Sequence, residues 1–477
     1  MKNELQWGGR FNAAPDEALL RFGSSLNDDL VLAPFDVICS RAHVVALRNG
    51  TIIDEATADA LDTALAHVAK EIAEGDFTSW AETTDCEDVH GAIDRRVRDY
   101  APAAGDRLHS GRSRNDQVAT TLLLYVADRA REAETIASRI VQHLVATAER
   151  ELAAKTMLAA TTHWQPAQPI LLAFWLAAGA EGFLRVVRRF HRVAEDAIRF
   201  CPLGSGAVSG STLPLARREA AAYLGFTAPS RVALDAIGNR DVACDLMHAV
   251  ARALIEASRI SEEIVIWATP AFGYVRLDDA ASTGSSLMPQ KRNPDPFELV
   301  RSSAAGAIGA LTAALGTLSG LALSYHRDLQ ETKAHIISGT ERGLAALRAF
   351  AQALPYIDFQ RERMSTHAAQ GYTVATDVAD ALIGAGLPAR AAHEAVGTRV
   401  AIAEQEGRDL NASDITAIAD ATTCTIHGAP LDAAASIAAK RTIGSTAPEH
   451  VAKALASIRV ELASLESPCN HESETTD

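Results

Sequence analysis

The chain has 477 residues, too many for one compact core, so two or three domains are expected. Hydrophobic residues make up 48% and aromatics only 5%, an alanine-rich balance that favours close-packed helices over sheets. A net charge of −15 excludes a nucleic-acid surface, which needs a basic footprint, yet permits a small anionic ligand where cations cluster locally.

In chain order, Met1–Glu4 is followed by no apolar run, so no signal peptide is expected. Trp7-Gly8-Gly9-Arg10-Phe11 opens a loop. Helical periodicity appears over 37–48 and again over 56–74, where Ile52, Ala56, Leu61, Leu65, Val68 and Ile72 trace a face. Ser24, Ser25 and Asp29 precede an apolar segment and read as helix caps as readily as functional groups. The stretch 86–96 starts another helix, and its His90, taken alone, fits a surface or core histidine. Six cysteines (Cys39, Cys86, Cys201, Cys244, Cys424, Cys469) have no paired spacing. They read as reduced thiols of a cytoplasmic protein, with neither a disulfide framework nor a metal site.

Leu108–Gln117 precedes more than thirty residues of helical pattern, to about Leu152, free of proline and glycine. Asn115 or Asp116 would cap that helix, leaving Ser113, Arg114 and Asn115 at the positive end of its dipole. Unpaired N–H groups beside an arginine suit a carboxylate or phosphate; simple capping is the other reading. Thr161–Pro169 is a polar break whose prolines end one helix before another resumes at Ile170. Its His163 has the residue type for acid–base work near neutrality. Pro202–Pro214 is a glycine-serine loop without a phosphate-loop lysine.

A third long helix is expected from Arg240 to Thr269 and a fourth from Pro296 to Leu323. Between them, 282–295 holds two adjacent serines, a lysine, an arginine and an asparagine among residues that form poor helix and poor strand. Such a loop on a rigid scaffold suits catalysis. Ala304–Leu323 carries no charge over a length that fits a bilayer, but it is rich in Gly, Ala, Ser and Thr. A buried helix accounts for it better than a membrane span. Tyr325–Lys333 is dense in polar side chains, and shorter helices follow from about Arg361 as a small C-terminal domain. The acidic tail at 467–477 is expected to be disordered. Helices this long cannot bury their faces within one subunit, which implies self-association and active sites shared between copies.

Gly284-Ser285-Ser286-Leu287-Met288-Pro289-Gln290-Lys291-Arg292-Asn293-Pro294 resembles the signature loop of the aspartase/fumarase superfamily. Gln290 and Asp295 make it similar to the argininosuccinate lyase family in particular, as do Trp7–Phe11, Ser110–Gln117, Thr162–Pro169, Tyr325–Lys333 and Gly386-Leu387-Pro388. The resemblance implies an all-α, three-domain lyase subunit with a long central helical bundle. Four copies would form a homotetramer around a twenty-helix bundle, each active site drawing on three subunits. The implied divisions are 1–112, a mostly helical N-terminal domain; 113–362, the long helices and catalytic loop; 363–466, the small helical domain; and the tail.

It further implies cofactor-free β-elimination of argininosuccinate to arginine and fumarate, with no metal and with neither nucleic acid nor membrane as partner. Ser285 would be the general base, its alkoxide stabilised by Lys291 and loop N–H groups. His163, polarised by Glu298 and flanked by Thr162, would be the general acid or its relay. Ser113, Arg114, Asn115, Lys291 and Asn293 would hold the carboxylates, and Ser25, His90, Tyr325, Gln330 and Lys333 are the remaining substrate-binding positions. The sequence departs from the family at Trp164, where leucine is common, and at Arg292, where lysine is common. Val232–Asp241 departs further: the family reads closer to NSxDAVSDRD, and here Asp235, Arg240 and Asp241 remain while an Asn, two Ser and an Asp are replaced. That leaves open a related lyase that releases fumarate from another N-succinyl amine.

Overall fold

The computed structural model describes residues 16–424 and 428–466. The Trp7–Phe11 motif, Cys469 and the tail at 467–477 lie outside the described residues. The chain divides into two compact units, each assembled from three separate stretches. Met1–Ala133, Arg189–Ala251 and Ala304–Ala345 form one; Glu134–Arg188, Arg252–Ser303 and Ala346–Asp477 form the other.

Each change of unit falls inside a long helix: Arg114–Ala154, Leu172–Ala197, Asp241–Trp267, Asp295–Leu318 and Leu329–Ala353. Four of these match the helices expected from periodicity to within a few residues. The fourth ends at Leu318 rather than Leu323, and Gly320 follows in a left-handed conformation with φ 85°. The fifth had no separate signal, because it begins inside the polar Tyr325–Lys333 run and only later buries Ile336, Leu344, Leu347 and Phe350. The class is all-α. Among the described residues, strands form only three two-stranded ribbons.

In the first unit, Ala33–Asn49 packs on Glu55–Glu74. Asp54 caps the second of these helices by accepting from the Thr57 N–H at 2.9 Å, and Gly75 at φ 86° closes it. Leu61, Leu65 and Val68 are buried as the periodicity predicts, but Ala58 and Ala64 complete the face and Ala56 is exposed in the first turn. A second apolar cluster joins Cys39, Ala42 and Ala46 to Cys201, Leu203, Leu224 and Phe226. The five described cysteines are free thiols.

In the second unit, Phe350 stacks on Phe183 with centroids 5.6 Å apart and receives the edge of Phe297 at 6.3 Å. All three rings are fully buried, each contributing roughly 1.5–3 kcal/mol of transfer free energy. Glu151, nearly inaccessible, is bound in a fork by Arg361 at 2.7 and 2.9 Å and by the Thr156 hydroxyl at 2.6 Å. The C-terminal helices Ala375–Gly384, Ala389–Gln405 and Ala412–Thr422 enclose a small core of Val378, Leu382, Ala392, Val396 and Ile418. Gly386, at φ 97°, makes the turn between the first two.

The burial expected for the uncharged run is not found within this chain. The helix Asp295–Leu318, which carries most of the uncharged run, is largely uncovered: Leu299, Ile308 and Leu315 are 67%, 45% and 50% exposed. An added Cβ at Gly306, Gly309 or Gly316 would meet no atom within 4 Å.

Candidate active site

The fourteen candidate residues fall into two groups, one in each unit. The first unit carries Ser25, His90, Ser113, Arg114, Asn115, Tyr325, Gln330 and Lys333. Ser25 occupies the N-cap position of Leu26–Asp29, yet its side chain makes no cap bond. Its hydroxyl instead donates to Asp29 at 2.7 Å, and Lys333 Nζ donates to the same carboxylate oxygen at 2.7 Å and to Ser25 Oγ at 3.4 Å. The second Asp29 oxygen accepts the Val89 N–H at 3.0 Å. All three side chains are buried, so the capping reading of Ser25 and Asp29 gives way to a sealed ion pair.

His90 is fully buried, and its Nδ1 lies 2.8 Å from Asp36 Oδ1. Asp36 also accepts from Gln117 at 2.8 Å and from the Thr121 hydroxyl at 3.2 Å. Burial alone would raise this carboxyl. His90, then Arg112 and Gln117, outweigh burial and hold it well below the usual carboxylate range. Asp36 is not among the candidates expected from the sequence, although its signal is present there. Asp36, Ser40 and His43 share one helix face with buried apolar residues, and all three are inaccessible.

The long helix begins at Arg114, which makes Ser113 its cap rather than Asn115 or Asp116. Ser113 Oγ accepts the Asn115 N–H at 3.3 Å, and Asp116 returns the bond by accepting the Ser113 N–H at 3.0 Å. The other Asp116 oxygen gathers the N–H groups of Gly204 and Gly206 at 2.9 and 2.8 Å, while the Asn115 amide donates to Ala207 O at 2.9 Å. The glycine-serine loop is thereby fastened to the helix start. Burial pushes the Asp116 carboxyl up to about 6, against these N–H groups and Arg112. Arg114 is oriented by Asp88 at 3.0 Å and by Gln117 at 2.8 Å, which leaves most of a guanidinium's five N–H donors uncommitted to these partners. Asp88 is raised by burial but lowered more by Arg114, His90 and the Gly91 N–H, for a net downward shift.

Tyr325 is half-buried, and Gln330 donates to Gly23 O at 3.0 Å. Arg327 also donates to that carbonyl at 2.5 Å and pairs with Glu87.

The second unit carries Thr162, His163, Ser285, Lys291, Asn293 and Glu298. The polar break at Thr161–Pro169 is a β-hairpin, Met157–Thr162 against Gln165–Leu171, rather than a loop between helices. Thr162 pairs with Gln165, so His163 and Trp164 are the two turn residues, at φ 54° and 61°. A two-residue hairpin turn with both φ positive normally takes Asn-Gly. Placing an imidazole and an indole there costs of order 1–3 kcal/mol each. Thr162, His163 and Trp164 are all exposed.

The serine loop is closed at its neck by reciprocal backbone bonds between Thr283 and Asn293, at 3.1 and 2.8 Å. The Thr283 hydroxyl donates to Asp295, and Arg292 is anchored on Leu277 O at 2.8 Å and Asp279 at 2.6 Å. Inside it, Ser285 Oγ accepts the N–H groups of Met288 at 3.0 Å and Leu287 at 3.3 Å. Two donors aimed at one hydroxyl oxygen favour its anionic form. Lys291 is exposed, its N–H bonded to Met288 O at 3.1 Å. Glu298 stands half-buried in the first turn of the following helix. Among the described residues of this chain, no hydrogen bond joins Glu298 to His163.

A lyase family model matches residues 9–309, and a model of the argininosuccinate lyase C-terminal region matches 372–439. The chain is 40% identical to the argininosuccinate lyase of Acidothermus cellulolyticus over 473 residues, covering 96% of this chain and 94% of that protein. The chain belongs to the argininosuccinate lyase family. A Mycobacterium leprae member is also 40% identical, over 95% of this chain and 96% of its own length. Among solved structures, EDDS lyase in complex with formate superposes with a TM-score of 0.80 at 25% identity, over 94% of this chain and 89% of that one. A fumarate lyase from Mesorhizobium, at 18% identity and a TM-score of 0.70 over 95% and 99% of the two chains, shares the fold. The argininosuccinate lyase family acts on carbon–nitrogen bonds, and this chain is an enzyme of that lyase class.

Proposed function

We propose that the enzyme cleaves argininosuccinate to arginine and fumarate by β-elimination, with Ser285 as the general base. The observation that carries the chemistry is the pair of N–H donors, Leu287 and Met288, converging on Ser285 Oγ. Ser285 takes a proton from the succinyl carbon beside a carboxylate, and the C–H electrons first load that carboxylate with a second negative charge. Lys291, Asn293, Arg114, Ser113 and Asn115 supply the cation and N–H donors where this charge develops. The charge then collapses into the C=C bond of fumarate as the C–N bond breaks. The leaving nitrogen gains its proton from His163 or a group relayed by it, with Thr162 beside it and Glu298 polarising it. Tyr325 and Gln330 hold the arginine portion, and the buried Ser25, Lys333 and His90 complete the binding positions from behind them through the Asp29 and Asp36 networks. No cofactor enters the sequence of steps.

The enzyme is read as a cytoplasmic homotetramer whose active sites each draw on three subunits. The exposed apolar face of Asp295–Leu318 supports self-association, because further copies of the same helix would cover Leu299, Ile308 and Leu315. The three-part division at 112 and 362, with a short tail, is retained as the functional division of the subunit. The decisive experiment incubates the enzyme with argininosuccinate and follows fumarate by absorbance, alongside light scattering for the oligomer. Fumarate from another N-succinyl amine but not from argininosuccinate would favour a related lyase, the reading kept alive by the departures within Val232–Asp241.

A further inference from the structure

The departures from the family pattern at 232–241 meet the substrate-binding segment at one point. Gly238 stands where the family has serine, and a Cβ there would lie 2.4 Å from Ser324 O, 3.0 Å from its carbonyl carbon and 3.4 Å from its nitrogen. All three contacts are backbone, which cannot swing aside as a flexible side chain would. Ser324 itself sits at φ 90°, a conformation that a residue with a side chain keeps only when its surroundings impose it. The next residue is Tyr325.

Two residues from Gly238, Arg240 is only 3% exposed. Its Nη1 braces the turn by donating to Asn239 O at 2.7 Å and Ile237 O at 3.4 Å, while Nε and Nη2 have no hydrogen-bond partner among the described residues. Burial lowers the guanidinium to about 10, and the titratable groups acting against that shift are Tyr325 and Cys244, neither of them a carboxylate. A buried cation kept without a carboxylate among the described residues is costly and calls for a role beyond packing.

We propose that Gly238 and Arg240 are positioning residues for Tyr325, and that through it they help set which leaving amine the site accepts. The absent Cβ lets the Ser324 carbonyl settle on the turn, and Arg240, by holding Asn239 O and Ile237 O, keeps that turn in the shape against which Tyr325 begins. The proposal rests on the reading of Tyr325 as a substrate contact. Serine at 238 would push Ser324, and Tyr325 with it, away from the turn.

The test is a double-mutant cycle on the full-length enzyme with argininosuccinate and a panel of N-succinyl amines. Gly238→Ala is expected to raise KM for argininosuccinate about tenfold with kcat within about twofold, the signature of lost uniform binding. In a Tyr325→Phe background the same change should add no more than about twofold, because contacting residues are non-additive. Arg240→Lys, which keeps the charge but loses the planar fork, should behave likewise, and it carries the test if Gly238→Ala fails to fold. A raised KM in Tyr325→Phe with parental KM in Gly238→Ala and Arg240→Lys would overturn this proposal alone, as would fully multiplicative effects. Parental KM in Tyr325→Phe would overturn the reading beneath it as well.

Discussion

The two groups of candidate residues are built on opposite principles. In the first unit, Ser25, Asp29, Lys333, His90 and Asp36 are sealed from solvent and bonded to one another. In the second, His163 and Lys291 stand exposed, Ser285 is half-buried, and the backbone fixes their places: a strained two-residue turn, and a loop pinched between Thr283 and Asn293. A buried charge pair gives a fixed shape at the risk of a large penalty when one partner is lost. An exposed residue on a strained turn contributes little to stability and stays available for chemistry. Substitutions in the sealed cluster should therefore be felt in folding, and those on the exposed turn and loop in turnover.

The largest effect is expected at Ser285→Ala. Turnover should fall at least about a thousandfold, as for loss of a general base assisted by preorganised donors, while the urea unfolding midpoint stays at the parental value. Near-parental turnover would remove Ser285 from the base role. Asp29→Asn should do the reverse, destabilising the chain by about 3 kcal/mol because it leaves Lys333 buried without its counter-charge. An unchanged unfolding midpoint would mean that this pair is not sealed in solution.

The pH dependence sharpens the contrast further. Burial, then Arg112 and Arg114, lowers His109 from 6.5 to about 3 in the folded chain. Its unfolded form therefore binds a proton first, so its contribution to stability is complete above pH 6.5 and is lost as the pH falls toward 3. The loss should reach about 2 kcal/mol by pH 5, and His109→Gln should flatten that part of the stability profile measured by denaturant titration. The smallest effect is at Trp164→Gly. Glycine relieves the φ of 61° in the turn, so the melting temperature should rise by the equivalent of about 1 kcal/mol. A fall would mean that the indole, half exposed in this chain, is held by contacts worth more than the strain.

Much of the enzyme is already written in local pattern. Periodicity and proline placement located four of the five long helices, because an apolar stripe of helical period and its breakers are properties of neighbouring residues. The serine loop was legible for the same reason: Ser285, Lys291, Asn293 and Glu298 lie within one short stretch. Tertiary structure decided the rest. The hairpin turn at His163 and Trp164 follows from strand pairing, since neither residue favours positive φ on its own. Asp29 became the partner of Lys333, and Asp36 the anchor of His90, through contacts that span 304 and 54 positions of sequence. No window of sequence reports such a pairing, because its energy comes from excluding water around two charges that only the folded chain brings together.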